Sequence, residues 1–360
     1  MDGKKTALRF LKRLAAITLL CMLAVAFVVV LFDPFYHYHG PLPGMQPVLE
    51  ERDYEVIGTI DHFDYDAILL GDSLVENTNT RWLSELFEAK AVKAIRAGGS
   101  NADLLFYLDR AYEAGELKQV FYCIDRAVLC ADTTLTFPEN DYWYLVNRNP
   151  LDDWKYLWNK DVLLKKIPIQ LAYNTVLDYD PGEAYDWYRT KTFSTESMKV
   201  YYEPQENFDE AQPVPAEFEE NLALLKERIS AHPETVFYLF YPPTSLLSWD
   251  KELREGGLEA DLAMIRRLST AFADCPNVKL FGFFAAEDYA ATDHYMDVVH
   301  FSPEVNYAIF EDMAEGRCTL NSTSVEDELD KLKGMIRDFS GDKISGIYPE
   351  AVTAEAAQLP

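Results

Sequence analysis

Ala67-Ile68-Leu69-Leu70-Gly71-Asp72-Ser73 joins four apolar residues to a glycine, a carboxylate and a hydroxyl. The run is apolar throughout instead of alternating, the pattern of a strand covered on both faces. Four comparable runs follow, at residues 91–97, 119–125, 235–241 and 278–283. Residues 81–88, 102–114, 216–231, 260–272 and 305–315 carry apolar side chains at three- and four-residue spacing, the period of helices that bury one face. Asn101 and Ser302-Pro303 act as helix-start signals. Strands alternating with helices predict right-handed βαβ units and an α/β fold: a three-layer, doubly wound, parallel five-stranded sheet. Ligands of such sheets bind beyond the carboxyl ends of the strands. Ser73 and Gly98-Gly99 both fall at such ends.

Upstream, residues 14–32 contain no charge and are rich in Leu, Val and Ile, with Lys4, Lys5, Arg9, Lys12 and Arg13 before them and Asp33-Pro34 after. Nineteen residues at a helical rise just cross a hydrocarbon core of roughly 30 Å. The basic flank places the N-terminus in the cytoplasm, so a single-pass membrane segment would hold the rest of the chain outside. Ala24-Val25-Ala26 has the form of a signal-peptidase site but lies inside the apolar run, which favours an uncleaved signal anchor. Phe35, Tyr36, His37, Tyr38 and His39 suit the headgroup level, and His37-x-His39 reads as interfacial because two histidines rarely complete a metal site.

The chain thus divides into a basic tail (1–13), the anchor (14–32), a juxtamembrane segment (33–60), an α/β domain (61–338) and a tail expected to be partly disordered (339–360). About 110 residues separate the third and fourth strands, far more than a crossover needs. Residues 130–212 therefore read as an insertion, and its Trp143, Trp154, Trp158, Trp187 and many tyrosines fill a small core or line a groove. A net charge of −27 argues against nucleic acid as a partner. Of the five cysteines, Cys21 lies in the anchor; Cys123, Cys130, Cys275 and Cys318 allow disulfides or buried thiols, and neither is favoured. No phosphate loop or metal-ligand cluster is present, so neither a cofactor nor a metal is expected.

Gly71-Asp72-Ser73 alone is weak, arising by chance in roughly one chain of this length in ten. Its context adds weight, because Asp297-Val298-Val299-His300 stands before what reads as the last amphipathic helix. A serine hydroxyl needs an imidazole within hydrogen-bond reach and a third group to fix its tautomer. With Gly98-Gly99 after the second strand, the chain resembles the SGNH/GDSL hydrolase superfamily over about residues 60–315, apart from the insertion. The resemblance implies Ser73 as nucleophile, His300 as general base and later acid, Asp297 as its orienting partner, and an oxyanion hole from the amides of Ser73 and of Gly98 or Gly99. The family's asparagine motif should fall at Cys123-Ile124-Asp125-Arg126, where no asparagine stands. Asn101, Asn77 or Arg126 would have to substitute. Asp72 reads as a tie for the nucleophile turn.

More narrowly, the anchor, Asp33-Pro34-Phe35-Tyr36-His37-Tyr38, Tyr241-Pro242-Pro243-Thr244-Ser245 and the Tyr295–Ser302 cluster resemble bacterial envelope proteins. These are the D-alanyl transfer protein of teichoic-acid modification and the alginate O-acetyltransferase group. The resemblance implies acyl transfer to, or removal from, a cell-envelope polymer outside the membrane, with an acyl-ester substrate and a membrane acyl-donor protein as partners. Tyr241 and Ser245 should then sit at the rim of the cleft. The expected function is a membrane-anchored extracytoplasmic serine esterase or O-acyltransferase. The alternative is a non-catalytic envelope binding or scaffolding protein on the same fold.

Overall fold

A computed structural model describes residues 2–355, 358 and 359. It resolves into two compact units: one runs through Phe63 and resumes at Phe137–Pro181, and the other comprises Asp64–Thr136 and the chain from Gly182 onward.

The larger unit is an α/β sandwich. Its five strands, β1 (Ala67–Gly71), β2 (Ala91–Ile95), β3 (Gln119–Cys123), β4 (Val236–Tyr241) and β5 (Val278–Gly282), form one sheet in the order β2-β1-β3-β4-β5. Every pair is parallel, with Gly71 opposite Ile95, Leu70 opposite Tyr122, and Cys123 opposite Phe240. The order reverses at β1, between β2 and β3, the switch point where such sheets open a crevice. Leu69, Phe121, Phe240 and Phe281 pack with Leu83, Ile309 and Phe310, from the helices Thr80–Phe87 and Pro303–Glu315. Asn101–Ala114, Ala216–Ala231 and Leu258–Ala271 pack against one another in turn. At Asn101–Ala114 the N-cap is Ser100, one residue before the expected start, in a reciprocal capping box with Asp103.

Two sequence expectations change. Pro303–Glu315 is not the last helix: Val325–Asp338 follows, and its Val325, Leu329, Leu332 and Ile336 are buried. Nor is the tail ragged across residues 339–347, which continue as helical turns with Phe339 and Ile344 in the core. Gly341, Gly346 and Pro349 hide that pattern, because breakers outweigh two apolar side chains in a short window.

The expected insertion is also divided differently. Residues 182–212 pack with the sheet, where buried Lys93 of β2 meets Asp186 at 3.3 Å and the Asn77 carbonyl accepts from the amides of Trp187 and Tyr188. Residues 137–181 pack instead with the N-terminal segment. That smaller unit holds the helix Asp2–Phe32, the only helix among the described residues long and apolar enough to cross a membrane. Asp33 ends this helix and becomes a hub: its carboxylate accepts from the amides of His37, Tyr38 and His39 and from the Tyr156 hydroxyl, all at 2.6–3.0 Å. Gly58 in the helix Arg52–His62 lets the Phe35 and Tyr36 carbonyls approach, since a Cβ there would lie 2.3 Å from the Phe35 oxygen. All five cysteines are free thiols.

Candidate active site

β1 delivers Ser73. Gly71 closes the strand where a Cβ would lie 2.5 Å from Val75 and 3.0 Å from Cys123, so the chain can bend sharply only with glycine there. Asp72 caps the turn Ser73–Val75, its carboxylate accepting from Leu74 N–H at 3.0 Å while its carbonyl takes Val75 N–H. The Ser73 hydroxyl is thereby presented at the carboxyl edge of the sheet.

The partner groups arrive on the loop after β5. Tyr295 and Phe301 bridge in antiparallel fashion, Met296 N–H donates to the His300 carbonyl, and Ser302 N–H donates to the His294 carbonyl, so residues 295–301 form a pinned loop. Ser245 caps the helix Leu246–Arg254 and donates to the Val298 carbonyl at 2.5 Å, tying this loop to the end of β4. Across 227 positions of sequence, Ser73 Oγ lies 2.8 Å from His300 Nε2, and His300 Nδ1 lies 2.8 Å from Asp297 Oδ2. The other Asp297 oxygen accepts from the amides of His300 and Val299 at 2.8 and 3.0 Å. Burial raises the Asp297 pKa, but the hydrogen bond and charge of His300, with these two amides, outweigh it and hold the carboxyl below its usual range. Trp187 stands edge-on to the His300 ring, centroids 5.4 Å apart.

No protein-family model matches the chain, and no curated protein matches it. Among solved structures it is similar to a protein described as an acylhydrolase from Bacteroides fragilis, at 8% identity and TM-score 0.35 over 73% of this chain and 87% of that one. It is also similar to a GDSL-like lipase from Bacteroides thetaiotaomicron, at 11% and 0.34 over 69% and 87%. A third likeness is the C-terminal catalytic domain of peptidoglycan O-acetyltransferase A from Streptococcus pneumoniae, at 15% and 0.28 over 71% and 97%.

A cavity of about 490 Å³ opens beside Ser73 and His300. Tyr241, Pro242, Pro243 and Trp249 give it an apolar wall, and Arg126, Glu252 and Asp261 a charged end. Arg126 pairs with Glu252 and lies 3.1 Å from Asp261. Burial, opposed by Arg126 and reinforced by the Glu252 charge, lifts the Asp261 carboxyl to about 7. Asp72 and Asp125 also line the cavity and hydrogen-bond to each other. Burial and then the Asp125 charge push the Asp72 pKa well up, whereas Asp125 is also raised by burial but eased by the Val128 amide and by Asp72. Two buried carboxyls in contact disfavour ionising together, so each raises the cost of charge on the other.

The remaining sequence candidates lie outside the cavity lining. Asn101 is fully buried, accepting from the Tyr122 hydroxyl at 2.7 Å and donating to the Asn221 carbonyl at 3.1 Å, so its amide is spent on the helix layer. Asn77 positions the Trp187 segment. Gly98 turns the chain with φ +61°, and the Gly99 amide donates to the Arg96 carbonyl at 3.0 Å. Asp125, Glu252 and Asp261 are not among the sequence candidates, and Trp187 figures there only with the aromatics that fill a core or line a groove. Asp125 alone left a signal, standing just past the end of β3 as Ser73 stands just past β1.

Proposed function

We propose that this chain is a serine esterase or O-acyltransferase that works through an acyl-serine intermediate, tethered by its N-terminal helix outside the membrane and acting on acyl esters of an envelope polymer. The continuous hydrogen-bonded chain Ser73–His300–Asp297 carries the reading. As Ser73 Oγ attacks the ester carbonyl carbon, its proton passes to His300 Nε2, and ionised Asp297 stabilises the imidazolium that forms. Collapse of the tetrahedral intermediate breaks the bond to the alcohol oxygen, which leaves with the proton from His300. Water or an acceptor hydroxyl then gives its proton to His300 and attacks the acyl-serine carbonyl; as the bond to Ser73 Oγ breaks, His300 returns that proton to the serine oxygen and the acid or new ester leaves. Of the first amides of the nucleophile turn, those of Leu74 and Val75 go to Asp72; that of Ser73 is assigned to the developing oxyanion.

The cavity volume suits a short acyl group with part of its alcohol. The negative charge of the chain as a whole gives no bulk attraction for an anionic polymer, so recognition would rest on these local contacts. The test is fluorophosphonate labelling of the full chain beside Ser73→Ala, together with release of acetate from acetylated sugar esters. Labelling and turnover that vanish together in Ser73→Ala support the reading, and equal labelling of both proteins would overturn it.

A further inference from the structure

The smaller unit carries a surface that the acyl chemistry does not use. Residues 151–177 hold Lys155, Lys160, Lys165 and Lys166 against Asp152, Asp153 and Asp161, a small basic excess within a chain of net charge −27; Lys165 pairs with Asp161 at 2.8 Å and Lys166 with Glu51. Beside these lysines, Leu151, Trp154, Trp158, Leu164, Val176 and Leu177 are exposed, Leu164 by 70% and Val176 by 80%. Large apolar side chains clustered in water are costly, whereas tryptophan and lysine beside leucine suit the boundary between headgroups and acyl chains.

The position of this surface is fixed by the apolar helix Asp2–Phe32, against which the helix Trp154–Leu157 and the turns Val162–Lys166 both pack. Trp158 Nε1 donates to the Met22 carbonyl at 3.0 Å. Met22 lies ten residues before the helix end at Phe32, roughly 15 Å along the axis. That is about half of a hydrocarbon core roughly 30 Å thick. If the helix spans the bilayer, the Trp158 side chain lies at the depth of the acyl chains. Trp158 and Asn159 interrupt the helix there, but their amides donate to the Trp154 and Tyr156 carbonyls, the Asn159 side-chain oxygen accepts from the amides of Asp161 and Val162, and residues 160–173 continue as unbroken helical turns, so the backbone of this stretch is hydrogen-bonded within itself.

We propose that residues 151–177 form a second membrane-contact element that seats Trp154, Trp158 and Leu164 in the outer leaflet alongside the anchor, with Lys155, Lys160 and Lys165 on anionic phospholipid headgroups. It rests on the anchoring part of the proposed function and is independent of the triad. The long lysine stems shorten the remaining distance to the headgroup plane while their methylenes stay in the apolar layer.

The experiment uses the full chain reconstituted into phosphatidylglycerol–phosphatidylcholine vesicles whose acyl chains carry bromine, a contact quencher of indole fluorescence. The expected result is quenching of the intact protein that falls by more than half in Trp154→Phe/Trp158→Phe, while an unchanged far-UV circular dichroism spectrum reports an intact fold. Equal fractional quenching of both proteins would overturn the proposal and leave the surface to a protein partner. Replacing Lys155, Lys160 and Lys165 by Gln should remove the excess quenching seen in anionic over purely phosphatidylcholine vesicles; no such excess in the intact protein refutes the headgroup contact. Resistance to alkaline carbonate extraction is read separately. A chain that extracts freely refutes the anchoring itself, and quenching that is equal in a carbonate-resistant chain refutes only the second contact.

Discussion

Trp187 meets the His300 imidazole edge-on, at an interplanar angle of 89° and a centroid distance of 5.4 Å. Its segment is held by the buried Lys93–Asp186 pair and by Asn77, so the indole is a fixed wall for the ring. Under the proposed chemistry Trp187 is a positioning residue. Trp187→Ala should lower kcat by about 10- to 100-fold, because a small misplacement of a catalytic group is costly, with a smaller change in KM. Trp187→Phe should recover most of it. Parallel loss in both variants, or a change in KM alone, would assign the indole to substrate binding instead.

Asp297→Asn preserves shape but cannot stabilise the imidazolium. Its acylation rate should fall by roughly 1,000- to 10,000-fold with the fold intact, read from fluorophosphonate labelling kinetics. The carboxyl pKa is depressed on folding, so its stabilising contribution is fully present above the unfolded value near 3.8 and is lost as pH falls through the lower folded value. The stability difference between the parent and Asp297→Asn should therefore be flat from pH 5 to 8 and shrink in strong acid, measured by denaturant titration.

Asn101→Ala separates architecture from catalysis. It strands the Tyr122 hydroxyl and the Asn221 carbonyl in a buried layer, which should cost about 1–3 kcal/mol for each polar group left unpaired. Turnover per folded molecule should stay within about twofold. A large fall in kcat with unchanged stability would return Asn101 to the oxyanion hole.

The sheet was legible because burial on both faces writes itself as unbroken apolar runs, and β1, from Ala67 to Gly71, was located to the residue. Helices with strong apolar spacing, such as Ala216–Ala231, were equally plain. Arg52–His62 and Leu246–Arg254 escaped notice, since Glu55, Asp250 and Arg254 are buried polar residues that break the apolar period; Arg254 and Asp250 pair at 2.7 Å with neither side chain exposed. At the site, Ser73, Asp297 and His300 sit on short motifs with recognisable chemistry. Asp125 and Asp261 did not stand out, because an isolated aspartate gains meaning only from the neighbours that folding supplies. The aromatic stretch 137–181 looked like part of one insertion, whereas its buried Tyr156 and Tyr142 pack on Phe35 and Tyr54, and its helix Trp154–Leu157 on the N-terminal helix.

Asp261 supplies a pH dependence of opposite sign to that of Asp297. Folding raises its pKa from 3.8 to about 7, chiefly through burial, so between these values the folded chain binds more protons than the unfolded one. Stability then falls as pH rises through this window and stays low above it. At 1.36 kcal/mol per pKa unit the full effect is roughly 4 kcal/mol. Asp261→Asn removes the titration while keeping an oxygen that can accept from Arg126. Its stability relative to the parent should therefore rise by up to that amount between pH 4 and 8, measured by urea unfolding at each pH. A constant offset across the range would mean that Arg126 keeps Asp261 ionised throughout, and that the charged end of the cavity carries a fixed charge.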